Sequence, residues 1–108
     1  MLYSLVYNFY NIRPFTKVSM TKYVPKNSIF HSISTSNFAG YDAYFNIFID
    51  DEKVMTEDIN FKSIKFILPA ILSNQFLKKD TKIDITILIN DVTIEEQIIL
   101  WLYDTSSP

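Results

Sequence analysis

The chain has no cysteine, one glycine and one histidine in 108 residues. Without thiols there is no disulfide framework, no thiolate nucleophile and no cysteine zinc site, a pattern that fits a reducing cytoplasm. With Gly40 alone, no loop can bring several backbone N–H groups together on a phosphate. His31 has no other histidine or cysteine to share a metal ion. No spacing of serines and aspartates around it selects a hydrolytic relay, so no catalytic residue is assigned. Long apolar runs are also missing. The longest, Phe66–Leu72 and Ile98–Tyr103, fall far short of the roughly 18–20 residues that cross a bilayer and suit buried strands. The opening Met1-Leu2-Tyr3-Ser4-Leu5-Val6-Tyr7-Asn8 has neither a basic start nor a small-residue cleavage site, so it is not read as a signal peptide.

Alanine, the strongest helix former, occurs only 3 times, against 16 isoleucines, 5 valines, 9 phenylalanines and 7 tyrosines. β-Branched and aromatic side chains fit a pleated, half-buried surface. An apolar content of 48% with 20% charged residues supports a packed core, and the length suits one domain over residues 1–108. The expected fold is therefore mainly β: a single antiparallel β-barrel or β-sandwich of about six to eight strands.

Along the chain, Leu2–Tyr10 is apolar enough for a central strand, and Arg13-Pro14 ends it. Phe15–Tyr23 alternates only loosely. Pro25-Lys26-Asn27 reads as a turn, and Ser28–Ile33 as a short strand with Ile29, His31 and Ile33 on one face. Ser34–Gly40 has loop composition. Ala43, Phe45, Ile47 and Ile49 alternate with Tyr44, Asn46, Phe48 and Asp50, the period of a strand, and an acidic turn through Asp51-Glu52-Lys53 follows. Lys62–Leu68 alternates as well, and residues 69–77 have room for one short helical turn. The firmest rhythm is Ile83, Ile85, Ile87 and Ile89 against Asp84, Thr86, Leu88 and Asn90. Asn90-Asp91 is turn chemistry, so Lys82–Tyr103 is expected to form a hairpin. Thr93-Ile94-Glu95-Glu96 also has the form of a capping box, which leaves a helix over residues 94–103 as the alternative to a strand.

Charge is split along the chain. Residues 1–41 carry Arg13, Lys17, Lys22 and Lys26 with no acid, whereas residues 42–108 carry 6 lysines and 12 acids. Such asymmetry marks an interaction face unless strands from both halves interleave. The acids Asp50, Asp51, Glu52, Glu57 and Asp58 form the candidate partner-binding patch. They lack the alternating ligands and central glycine of a calcium loop, so no metal or cofactor is assigned. Lys17, Lys22 and Lys26 with Tyr23 and Phe30 are a thin basic set in an acidic chain, and no nucleic-acid or membrane partner is expected. The 17 aromatics are expected mainly in the core and on sheet faces, with some exposed.

From Gly40 onward the chain resembles the C-terminal β-barrel domain of elongation factor Tu and the short bacterial proteins similar to that domain alone. Val54-Met55-Thr56-Glu57-Asp58 stands at the family's glycine-containing turn, Phe61–Pro69 at the next strand, Leu77-Lys78-Lys79-Asp80 at the loop end and Ile83–Leu100 at the closing hairpin. Leu2–Tyr10 and Arg13-Pro14 would be the opening part. The family's turn and hairpin glycines are missing, and no GTPase motif or tRNA-contact residue carries over. The resemblance implies an antiparallel barrel or sandwich and says little of activity. Size, mild acidity and the acidic turn together point to a small non-enzymatic module that binds another protein. A cytoplasmic immunity or inhibitor protein that neutralises a basic toxin fits best. The alternative is a structural or accessory β-barrel domain, translation-factor-like or a phage component, acting in a larger assembly.

Overall fold

Two antiparallel sheets enclose the interior. The computed structural model describes residues 1–35, 43–60, 71–73, 75–89 and 94–105, and 71% of these lie in strands. Nine strands are described: β1 (Leu2–Ile12), β2 (Thr16–Tyr23), β3 (Ser28–Thr35), β4 (Ala43–Ile49), β5 (Glu52–Lys53), β6 (Ile59–Asn60), β7 (Phe76–Leu77), β8 (Lys82–Ile89) and β9 (Ile94–Asp104). The first sheet has the order β1-β9-β3-β7 and the second β2-β8-β4-β5, with β6 also pairing β4. The mainly β expectation holds, in a sandwich whose first sheet curls like half a barrel.

The isoleucine rhythm of β8 determines what lies inside. Ile83, Ile85, Ile87 and Ile89 are at most 2% exposed, and Phe45 and Ile47 of β4 lie on the same inner face at 1%. Against them pack Tyr7 and Phe9 of β1 and Ile98, Leu100 and Leu102 of β9. Each buried isoleucine contributes about 1.5–3 kcal/mol relative to exposure, so the alternation pins the register of β8. Its polar partners Asp84 and Thr86 necessarily take the outer face.

Residues 94–103 are strand rather than helix. β9 lies between β1 and β3, so both its edges are hydrogen-bonded along its length. That ladder, with Ile98, Leu100 and Leu102 buried at period two, outweighs the roughly 1 kcal/mol of a helix cap.

The expected Lys82–Tyr103 hairpin does not form. β8 pairs with β2 and β4, and β9 with β1 and β3, so the two strands stand in opposite sheets. Both are apolar on their inner faces, and these line one shared core instead of the strands pairing side by side. Among the described residues Leu2–Tyr10 likewise belongs to an edge strand, not a central one. In β3 a bulge between Phe30 and Ser32 breaks the expected face: Phe30 and Ile33 are buried while His31 is exposed. The loosely patterned Phe15–Tyr23 region is a regular strand, and β3 extends through Thr35 into the expected loop. Within the expected helical turn, Ile71 and Leu72 are helical, but Phe76-Leu77 pairs with Ser28-Ile29 as β7. The expected strand Lys62–Leu68 lies outside the described residues. Strands from the basic first third interleave with those of the acidic remainder, and Lys17 pairs with Asp58 and Lys26 with Asp104.

A hydrogen bond joins the sheets through the core. The hydroxyl of Tyr7, on β1, donates to the carbonyl of Ile83, on β8, at 2.8 Å. Burial, followed by the charge of Asp84, pushes the Tyr7 phenol well above its ordinary pKa. Tyr7→Phe should lower stability by about 1 kcal/mol, read as a fall in urea midpoint at constant m-value. Above about pH 10 the unfolded chain loses this proton while the folded chain keeps it, so stability falls as pH rises through that range. The variant should show a shallower alkaline decline than the parent in urea titrations at successive pH values.

Candidate functional site

The five predicted acids fall into two groups on the second sheet. The first is the β4–β5 hairpin, where Ile49 pairs with Glu52, leaving Asp50 and Asp51 as a two-residue loop. Both have positive φ, 48° and 68°, the backbone of a type I′ turn. Aspartate tolerates this region better than most residues, and further bonds hold it there. The Asp50 N–H donates to the Lys82 carbonyl at 2.8 Å, and Asp50 Oδ1 accepts the Lys82 N–H at 2.9 Å. Asp50 thus ties the hairpin to the start of β8. Lys82 Nζ donates to Asp51 Oδ1 at 2.8 Å and lies 3.8 Å from Asp84 Oδ2. The hydrogen bond to Asp51, then the charges of Asp51 and Asp84, raise the ammonium's pKa above its ordinary value.

The second group belongs to the strap of residues 54–58 that follows β5. Asn46, on the outer face of β4, is only 1% exposed because this strap covers it. Its Nδ2 donates to the Met55 carbonyl at 3.1 Å and to Asp58 Oδ1 at 3.0 Å, while its Oδ1 accepts the Ile47 N–H at 2.8 Å. Lys17 Nζ lies 3.6 Å from Asp58 Oδ2. Asp58 therefore anchors the strap. Asp50 lies four residues beyond Asn46 along β4, which at about 3.3 Å per residue puts the hairpin some 13 Å from Asp58. The acids form an extended surface rather than one pocket.

Their availability differs accordingly. Glu52 and Glu57 are exposed, with no partner among the described residues, and the Asp51 side chain is 75% exposed despite its lysine. Asp50 and Asp58 are committed to the fold. Sequence spacing gave no hint of Asp84, which β8 places on the same outer face, where it accepts a hydrogen bond from Thr21 Oγ1. Beside it Ser19 Oγ and Thr86 Oγ1 bond at 2.8 Å. A cleft of about 250 Å³ lies between Ile49, Glu52, Lys53, Val54, Ile71 and Gln75, smaller than most small-molecule sites. His31 is exposed on β3 with its Nδ1 2.8 Å from Ser32 Oγ. Among the described residues no three His, Cys, Asp or Glu side chains converge on a metal position.

A second surface was not legible as a unit. On the outer face of the first sheet, strand register aligns Phe76, Ile29, Tyr103 and Leu2 in one cross-strand row. Phe76, Tyr103 and Leu2 are 53%, 52% and 43% exposed. Trp101 follows in the next row, half-buried, its Nε1 donating to Ser34 Oγ at 3.1 Å. These residues come from four strands, and apolar residues occupy both faces of β9, so alternation alone could not mark them.

Comparison of the chain with protein-family models, curated proteins and solved structures finds no match. Among the described residues no helix is long and apolar enough to cross a membrane.

Replacing Asn46 by alanine would leave the Met55 carbonyl and Asp58 without their shared donor. We expect a loss of about 2 kcal/mol and faster proteolysis within residues 54–58. Unchanged cleavage there would mean the strap is held by other contacts.

Proposed function

We propose that this chain is a non-enzymatic protein-binding module, an immunity-type inhibitor of the cytoplasm that neutralises a basic toxin by direct contact. The observation that carries this proposal is the presentation of the acidic hairpin. The I′ turn, bonded twice to Lys82, holds Asp51 and Glu52 on a defined backbone at the rim of the second sheet. Glu57 adds exposed negative charge on the strap beside it. A rigid charged edge loses little conformational entropy on binding. It also accelerates encounter with a partner of opposite charge. The roles within the predicted set then divide. Asp51, Glu52 and Glu57 meet the partner, while Asp50 and Asp58 hold the surface in shape.

A second function, that of a structural or accessory domain in a larger assembly, is favoured by the exposed row of Phe76, Ile29, Tyr103 and Leu2. Contiguous apolar surface of this kind commonly marks a protein contact.

Partner capture from the native host, followed by binding kinetics, separates the two. With the captured partner, the triple reversal Asp51→Lys, Glu52→Lys, Glu57→Lys should slow association about tenfold or more at low salt, and the difference should shrink as salt screens the field. An association rate insensitive to both the substitutions and salt would remove the acidic surface from the proposal. Loss of binding on Phe76→Ser with Tyr103→Ser, but not on charge reversal, would favour the assembly role.

A further inference from the structure

Among the described residues β1 and β2 each stand at one end of a sheet with one side unpaired, and the two sides differ in chemistry. β2 ends the second sheet and carries Lys17 and Lys22, with Arg13 just before it. Lysines on an edge are a common device against strand addition. β1 ends the first sheet, and its eleven residues, Leu2–Ile12, contain no charge, no proline and no glycine. Among the described residues its only ladder partner is β9.

The direction of the open backbone groups follows from the register. Met1 accepts a hydrogen bond from the Asp104 N–H, which continues the Leu2↔Tyr103 register by one residue. In an antiparallel ladder hydrogen-bonded pairs alternate. Tyr3, Leu5, Tyr7 and Phe9 therefore direct their N–H and C=O groups toward β9. Leu2, Ser4, Val6 and Asn8 direct theirs away from it. This open row continues to Tyr10, where the register shift before Ile12 begins.

We propose that this edge pairs with the same edge of a second copy of the chain, antiparallel and about a two-fold axis at Val6. The pattern of side chains favours a copy of itself over a foreign strand. Pairing about Val6 sets Val6 against Val6 of the second copy, Ser4 against Asn8 of the second copy, and Leu2 against Tyr10 of the second copy. Apolar meets apolar and polar meets polar at every step, the arrangement that stabilises cross-strand pairs. A two-fold interface requires such self-complementarity. With no charge in β1, no like charges oppose each other across the axis. Leu2 and Tyr10, 43% and 65% exposed, are the side chains the pairing would cover most. Pairing also carries the row of Phe76, Ile29, Tyr103 and Leu2 onto Tyr10 of the second copy. The acidic hairpin is at the far edge of the second sheet, so the dimer leaves it open.

Sedimentation equilibrium of the full chain over a dilution series, with circular dichroism as a check on folding, tests this. The parent should sediment at twice the chain mass. Ser4→Pro removes an N–H that points away from β9, a position where an edge strand tolerates proline. It should weaken dimerisation about tenfold or more by deleting symmetry-related hydrogen bonds. Val6→Lys places two ammonium groups on the axis and should give a folded monomer. Because the chain has no cysteine, Val6→Cys supplies its only thiol, and mild oxidation should yield a covalent dimer. A hydrogen-bonded cross-strand pair has Cα atoms about 5.5 Å apart, within disulfide reach. A monomeric parent overturns the proposal, as does a dimer unaffected by both Ser4→Pro and Val6→Lys, or one that Val6→Cys cannot link. A monomer that loses a captured foreign partner on Ser4→Pro would assign the edge to a foreign strand instead.

Discussion

The whole molecule depends on closing the β8 isoleucine face against β1 and β9. Ile83, Ile85, Ile87 and Ile89 cannot be satisfied within their own sheet, because β2 and β4 supply backbone partners but not a cover. Their burial requires a second layer, and a layer without helices must be another sheet. The Tyr7 hydroxyl, bonded to the Ile83 carbonyl, adds direction to an otherwise non-directional contact. It fixes β1 over one end of β8, and the strands that pair with each follow.

That arrangement also decides which polar groups become surface. Once the isoleucines face inward, Asp84 and Thr86 face outward beside Ser19 and Thr21 of β2 and Asn46 of β4. The outer face of the second sheet thereby mixes these polar groups with Tyr44, Phe48 and Leu88, and its Lys17 and Lys82 pair with Asp58 and Asp51. Thr86 is nevertheless buried, at 5% exposed, and Asn46 is a buried amide on the same outer face. Its carboxamide uses both its donor and its acceptor, so it can be covered by the strap without leaving a polar atom bare. The first sheet differs in exposing the row of Phe76, Tyr103 and Leu2 on its outer face.

Backbone geometry contributes where glycine is scarce. Asp50 and Asp51 accept positive φ, and Asn11, Phe15 and Asp80 do so elsewhere. At Asp50 the geometry is held by bonds to both backbone groups of Lys82, so the turn is an anchored part of the sheet edge. A glycine would have been freer there but would have supplied no carboxylate.

By itself the sequence determined the class of structure and the inner faces of β4 and β8. A two-residue rhythm of isoleucine and phenylalanine admits one structural period, as in Ala43–Ile49 and Lys82–Ile89. The acidic turn expected through Asp51-Glu52-Lys53 begins one residue earlier, as the Asp50-Asp51 loop, and Glu52-Lys53 pairs back on β4 as β5. Pairing was decided only by the tertiary structure. Alternation tells which side of a strand is buried and is silent on its neighbour, so β8 and β9, adjacent in sequence and both apolar inside, suggest a hairpin although they stand in different sheets. The two strand edges, the row from Phe76 to Leu2 and the placing of Asp84 among the acids are likewise products of register between distant segments. No local pattern encodes them, because each joins residues that become neighbours only when the interior closes.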